Sequence, residues 1–244
     1  MYLFFRCLIV AAFVCTASWV HPQTQFNEQN QAQSDSMAKR MQACTTCHGA
    51  QGVTSNQAYF PRIAGKPSAY LFNQLVNFKE GRRHYGLMVG MVEHLSDAYL
   101  LEMAQYFSNL DVPYPPPAPL KTPASAAKLQ SGKTLALQGD KTRELAACTS
   151  CHGTALMGIL PSTPALLGLP RDYLAAQLGA WQTGLRRAHA PDCMGRIAKV
   201  LTAKDVDALA SWQASQPVPA SAKPAASLPN PTSTPTQEQC GGAK

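Results

Sequence analysis

Residues 44–49 read CTTCHG and residues 148–153 read CTSCHG. Each block places two thiols about one helical turn apart, with an imidazole on the very next position. A chain that carries it twice must build the same local geometry in two places.

The surroundings repeat as well. Pro61-Arg62-Ile63-Ala64-Gly65 matches Pro164-Ala165-Leu166-Leu167-Gly168, 13 and 12 residues after the motif histidines. Nine residues after each proline comes Tyr-Leu, then Gln-Leu: Tyr70-Leu71 with Gln74-Leu75, and Tyr173-Leu174 with Gln177-Leu178. Phe78 matches Trp181, and Gly81-Arg82-Arg83 parallels Gly184-Leu185-Arg186-Arg187. Met88 precedes Leu95-Ser96 by seven residues, as Met194 precedes Leu201-Thr202. Landmarks in one order at near-equal spacing mark an internal duplication. The second copy departs from the first by two extra residues between its arginines and Met194, in the stretch AHAPDC.

Composition changes divide the chain around these copies. Residues 1–18 are expected to be a secretory signal peptide: a lone Arg6, an apolar run, and small residues near a cut at Ala17 or Ser18. An uncleaved anchor is the alternative, although the run is short for a span. A flexible polar leader follows at 19–35. The first domain is assigned to 36–112, a stiff Pro-rich linker to 113–127, the second domain to 128–216, and a disordered Pro/Ser/Thr-rich tail to 217–244. Both domains read as helical. Helix-forming runs end at the cysteines over 36–47 and 140–151. Lys66-Pro67-Ser68 opens another helix running to about Lys79. Ser96 and Thr202 are N-caps for terminal helices over 97–109 and 203–215, with Thr202 and Asp205 forming a capping box. No stretch alternates long enough to suggest a sheet.

Export implies an oxidising compartment in which every cysteine needs an assignment. Of eight, Cys7 and Cys15 leave with the signal and four belong to the repeated blocks. Cys193 and Cys240 remain; they could pair as a disulfide. The net positive charge is a property of the second half: residues 27–113 hold seven Lys+Arg against seven Asp+Glu, and residues 114–216 hold eleven against six. Such an excess can steer an acidic partner or favour peripheral association with an anionic membrane. The absence of a basic run interleaved with aromatics argues against nucleic acid.

CxxCH is the attachment signature of c-type haem. Its two thiols can bond the two vinyl groups on one porphyrin edge, and its histidine then faces the iron. Cys44, Cys47, Cys148 and Cys151 are therefore the expected thioether anchors, His48 and His152 the proximal ligands, and two covalently bound haem c groups the expected cofactors. A shared zinc site would need the pairs close together, and a dithiol redox pair would sit beside a βαβ pattern that is absent. Each repeat also offers a methionine on a loop before its last helix, and a thioether ligand favours ferrous iron, as suits an electron carrier. Met88 and Met194 are the expected distal ligands. Met91, which matches Ile197, reads as core filler; His84, His189 and Cys193 stay open as rivals.

Together these segments resemble dihaem cytochrome c4, two class I cytochrome c domains in tandem, over residues 37 to about 215. The resemblance implies an all-α fold with each domain wrapped around one haem, and the carbonyls of Pro61 and Pro164 accepting hydrogen bonds from the ligand histidines. It implies a periplasmic electron carrier, not an enzyme, that exchanges single electrons with a respiratory complex, a dehydrogenase or a terminal oxidase. Tyr70, Phe78, Tyr173 and Trp181 would pack around haem, and Arg82, Arg83, Arg186 and Arg187 could pair with propionates. Two further readings remain: a dihaem oxidoreductase of thiosulfate-oxidising or peroxidase type, kept open by Cys193, and the electron-accepting subunit of a larger dehydrogenase.

Overall fold

The computed structural model describes residues 36–53, 60–220, 222–227 and 240–243. The expected signal peptide and leader lie outside them. The chain divides into two units, one up to Arg40 and one from Met41 onward. Of the first, the described part is Ser36 and a short helix α1, Met37–Arg40. The second unit holds both copies of the repeat.

Its first half runs α2 (Gln42–His48), α3 (Ser68–Lys79), α4 (Gly86–Val92) and α5 (Asp97–Ser108). Its second half runs α6 (Ala126–Gln138), α7 (Thr149–His152), α8 (Arg171–Gln182), α9 (Cys193–Val200) and α10 (Ala203–Ser215). Among the described residues β-pairing is limited to isolated bridges, as an all-α fold requires. Local chemistry sets the boundaries. Ser96 and Ser125 accept from backbone N–H groups of Tyr99 and Lys128, and Thr202 with Asp205 forms a reciprocal capping box. The glycine closing each CxxCHG block stops its helix at φ 79° for Gly49 and 80° for Gly153, a backbone state that costs glycine nothing.

In each half the helix after the Pro-x-x-x-Gly stretch packs on the terminal helix, α3 on α5 and α8 on α10. Met41, Val92, Leu100 and Ala104 are almost wholly buried in the first half. In the second, α6 crosses α10 so closely that a Cβ on Gly132 would lie 2.2 Å from the Ala208 carbonyl oxygen. Leu135, Leu156, Met157, Leu209 and Trp212 share the core beneath that crossing.

Several expectations need correcting. The helical run expected over 140–151 is broken: Gly139, at φ 70°, ends α6, and Asp140 and Leu145 exchange two backbone hydrogen bonds of 2.8 and 2.9 Å across a tight turn. After a single 3-10 turn over Lys141–Arg143, α-helix resumes only at Thr149. The second domain's first helix begins at Ala126, inside the segment assigned to the linker. That linker is also no mere spacer, because Arg62 donates to Pro113 O at 3.2 Å and stacks 3.8 Å from the Tyr114 ring. Met88 and Met194 stand in the short helices α4 and α9, not on loops. The tail, expected to be disordered from 217, is docked in two described pieces. Ala225 pairs with Gly158 and Leu160, and Cys240 is bonded to Cys193.

Candidate functional site

Each repeat encloses one cavity. The first is walled by Cys44, Cys47, His48, Pro61, Phe78, Arg83 and Met88, the second by Cys148, Cys151, His152, Pro164, Trp181, Arg186 and Met194. In both, the cysteines, the histidine and the methionine line the same cavity, so the structure brings each expected set together. The expected packing aromatics also fall here, Tyr70 and Phe78 on the first cavity and Tyr173 and Trp181 on the second.

The two histidines are oriented alike. His48 Nδ1 lies 2.8 Å from Pro61 O, and His152 Nδ1 lies 2.8 Å from Pro164 O. A carbonyl can only accept, so the proton sits on Nδ1 and Nε2 keeps its lone pair, the arrangement a metal-ligating imidazole needs. Both rings are nearly buried, and that burial depresses their pKa, keeping them neutral. The thiols are shifted the opposite way to a dithiol redox pair: burial raises Cys44 and Cys151, and pushes Cys148 up to about 12. Thiols held protonated are poor nucleophiles for disulfide exchange.

Lys66, Tyr70, Gln74, Tyr173, Gln177 and Arg186 border both cavities. They form a crossed joint between the repeats. Arg83 of the first donates to Gln177 Oε1 at 2.7 Å and to the Tyr173 hydroxyl at 3.2 Å. Arg186 of the second donates to Gln74 Oε1 at 2.9 Å and to the Tyr70 hydroxyl at 3.4 Å. Each arginine also bonds the glutamine of its own repeat's partner helix, Arg83 to Gln74 at 3.1 Å and Arg186 to Gln177 at 2.8 Å. The joined backbones pair antiparallel at Arg83 and Arg186. Of the other candidate arginines, Arg82 is engaged by Glu80 and by Asn77, and Arg187 is exposed.

Charge at this joint tests the fit of a porphyrin. Lys66 and Arg186 are 5% exposed, and burial lowers the pKa of both. Among the described residues no carboxylate pairs with Lys66, Arg83 or Arg186. Buried cations without anions are costly, and a haem brings two propionates. Trp181 Nε1 adds a second mark on the cavity wall: among described residues it is the buried side-chain polar atom without a hydrogen-bond partner. Walls lined by apolar side chains, an available imidazole lone pair, two adjacent thiols and unmatched cations suit a propionate-bearing macrocycle.

The rivals separate. Cys193 is withdrawn from iron ligation by its bond to Cys240. His189 is held 2.7 Å from Arg82 Nη2, whereas His84 borders the first cavity. Met91, expected as core, is 46% exposed at that cavity's rim. Lys66 and the joint's role for Gln74 and Gln177 were missed in the sequence. The repeated Tyr-x-x-x-Gln spacing was the available signal for the glutamines.

Duplicated helical domains, each with a CxxCH block and a methionine lining one apolar cavity, define a two-domain c-type cytochrome. No family model matches the chain. The crystal structure of reduced recombinant cytochrome c4 from Pseudomonas stutzeri is 32% identical, with TM-score 0.61 over 72% of this chain and 94% of its own. A thiosulfate dehydrogenase electron acceptor of Thiomonas intermedia is 39% identical over 72% of this chain and 79% of its own length. A thiosulfate dehydrogenase structure from Marichromatium purpuratum gives TM-score 0.64 at 34% identity over 73% of this chain, which spans only 37% of that protein's chain. The chain belongs to the cytochrome c4 family. It is a dihaem electron carrier, not an enzyme, with two covalently bound haem c groups.

Proposed function

We propose that this cytochrome is an exported, periplasmic electron acceptor for a thiosulfate-oxidising dehydrogenase and passes the electrons on toward a respiratory complex or terminal oxidase. The observation that carries this choice of donor is the 39% identity to a thiosulfate dehydrogenase electron acceptor. Among the described residues no helix is long and apolar enough to cross a membrane.

Within this reading, Cys44 and Cys47 anchor one haem and Cys148 and Cys151 the other, and each haem supplies a one-electron couple. His48 and His152 present Nε2 to the iron, steered by the carbonyls of Pro61 and Pro164, while Met88 and Met194 offer thioether sulfurs from α4 and α9. The shared wall of Tyr70, Gln74, Tyr173 and Gln177 excludes water between the cavities, and Lys66, Arg83 and Arg186 balance propionate charge there. Mixing the oxidised protein with a thiosulfate dehydrogenase and thiosulfate should reduce both haems, two electrons per chain. Reduction that occurs only with a small-molecule mediator would exclude this donor.

A further inference from the structure

The two extra residues of the second repeat lie in the stretch from Ala188 to Cys193, and that stretch is where residues 240–243 dock. Cys240 is bonded to Cys193, immediately before Met194. Gly241 is buried; its N–H donates to Pro191 O at 3.0 Å, and a Cβ there would fall 2.1 Å from the His189 carbonyl oxygen. The next residue reaches the other repeat, because Asn73 Nδ2 on α3 donates to Gly242 O at 2.8 Å. Cys240, Gly242 and Asn73 all border the second cavity beside Met194. Among the described residues no tail segment borders the first cavity, and Leu87 and Met91 on its lining are 65% and 46% exposed.

We propose that residues 240–243 are a disulfide-secured strap that closes the methionine side of the second haem site, leaving the first haem's edge as the open port for electron exchange. The inserted residues are the strap's seat, and Asn73 is its anchor on the first repeat. Release is reductive. A dithiol gives up two electrons and two protons, the Cys193–Cys240 bond becomes two thiols, and the dithiol closes to its own disulfide. This inference rests on the haem placement proposed above.

The test uses the oxidised dihaem protein and imidazole as a small competing ligand, with each haem followed by its own paramagnetically shifted methyl resonances. The C193S/C240S double variant leaves no free thiol to bind iron. Gly241→Ala crowds the seat with the disulfide intact, so an effect seen in both variants does not depend on removing the crosslink. Imidazole should enter the second haem at least tenfold faster in both variants than in the parent, while the first haem is unchanged. Equal entry at the second haem in the parent and both variants would overturn the strap. Intact mass reports two haems independently, so a missing haem would point instead to failure of the placement.

Discussion

The two repeats share the hold on the motif histidine and the arginine joint, and differ in one wall aromatic and in much of what surrounds the cavity. Both hold a histidine by a proline carbonyl at 2.8 Å, and both send one arginine across the joint to the other's tyrosine and glutamine. The second repeat adds a thirteen-residue helix crossing its terminal helix at Gly132, a tryptophan where the first has Phe78, a crosslinked strap, and two arginine–aspartate networks. Cofactor chemistry constrains the shared interior, so duplication leaves it alone. Divergence accumulates at the rim and scaffold, where the two sites can acquire unequal exposure and stability.

The largest asymmetry should come from the crosslink, which spans 47 residues of sequence. Constraining a loop of that length contributes about 4 kcal/mol in the chain-entropy account. The C193S/C240S variant should therefore lower the denaturation midpoint of the second repeat and leave the first nearly in place. Equal losses in both would mean the repeats unfold as one unit. The joint, by contrast, should respond symmetrically. Gln74 and Gln177 each accept from both arginines, so Gln74→Ala and Gln177→Ala should each cost about 2 kcal/mol through unsatisfied buried guanidinium N–H groups. A difference above about 1 kcal/mol between them, read by chemical denaturation, breaks the crossed symmetry.

Trp181→Phe makes the second repeat resemble the first at one position. If Nε1 finds an acceptor on the haem, the substitution should destabilise the holoprotein by about 1 kcal/mol, the net worth of one hydrogen bond. A neutral or stabilising result would show that the indole N–H stays unpartnered with haem bound.

These contrasts were unevenly legible in the sequence. The duplication, the grouping of each CxxCH block with one cavity and the caps at Ser96 and Thr202 could be read directly, because spacing and local hydrogen bonding carry them. The break after Gln138 could have been seen in Gly139-Asp140, a stop followed by a turn former, but the helix-forming residues on either side masked it. Met91 shows the limit of register arguments: it aligns with Ile197, which packs against the second repeat's core, yet it is exposed on the lining of the first cavity. The joint and the strap were illegible for another reason. Arg83 with Gln177 and Asn73 with Gly242 are separated by 94 and 169 residues, and nothing local encodes a contact at that range. Lys66 shows the same gap, a lysine whose burial follows only from how the two repeats meet.

The smallest contrast is electrostatic and appears only in acid. In the second repeat, hydrogen bonds from Thr142 and Arg143 hold Asp140 down to about 2, and those from Lys128 and Arg171 hold Asp207 down to about 2. Arg143 also binds Asp205 at 2.7 Å, which lies below its ordinary range despite partial burial that opposes ionisation. The carboxylates of the first repeat's ion pairs, Lys79 with Asp97 and Arg82 with Glu80, are 61% and 45% exposed, and exposed pairs contribute little. Depressed carboxylates stabilise the fold fully above the unfolded value near 3.8 and lose that contribution as pH falls toward 2. Acid should therefore weaken the second repeat selectively across that window. High salt should shrink the difference, since these networks are at the surface. Asp207→Asn should remove part of the second repeat's pH dependence while leaving the first repeat's titration unchanged, measured as denaturation midpoints against pH. A first repeat that weakens in parallel would locate the acid sensitivity elsewhere, in the shared joint rather than in the aspartate networks of α6, α8 and α10.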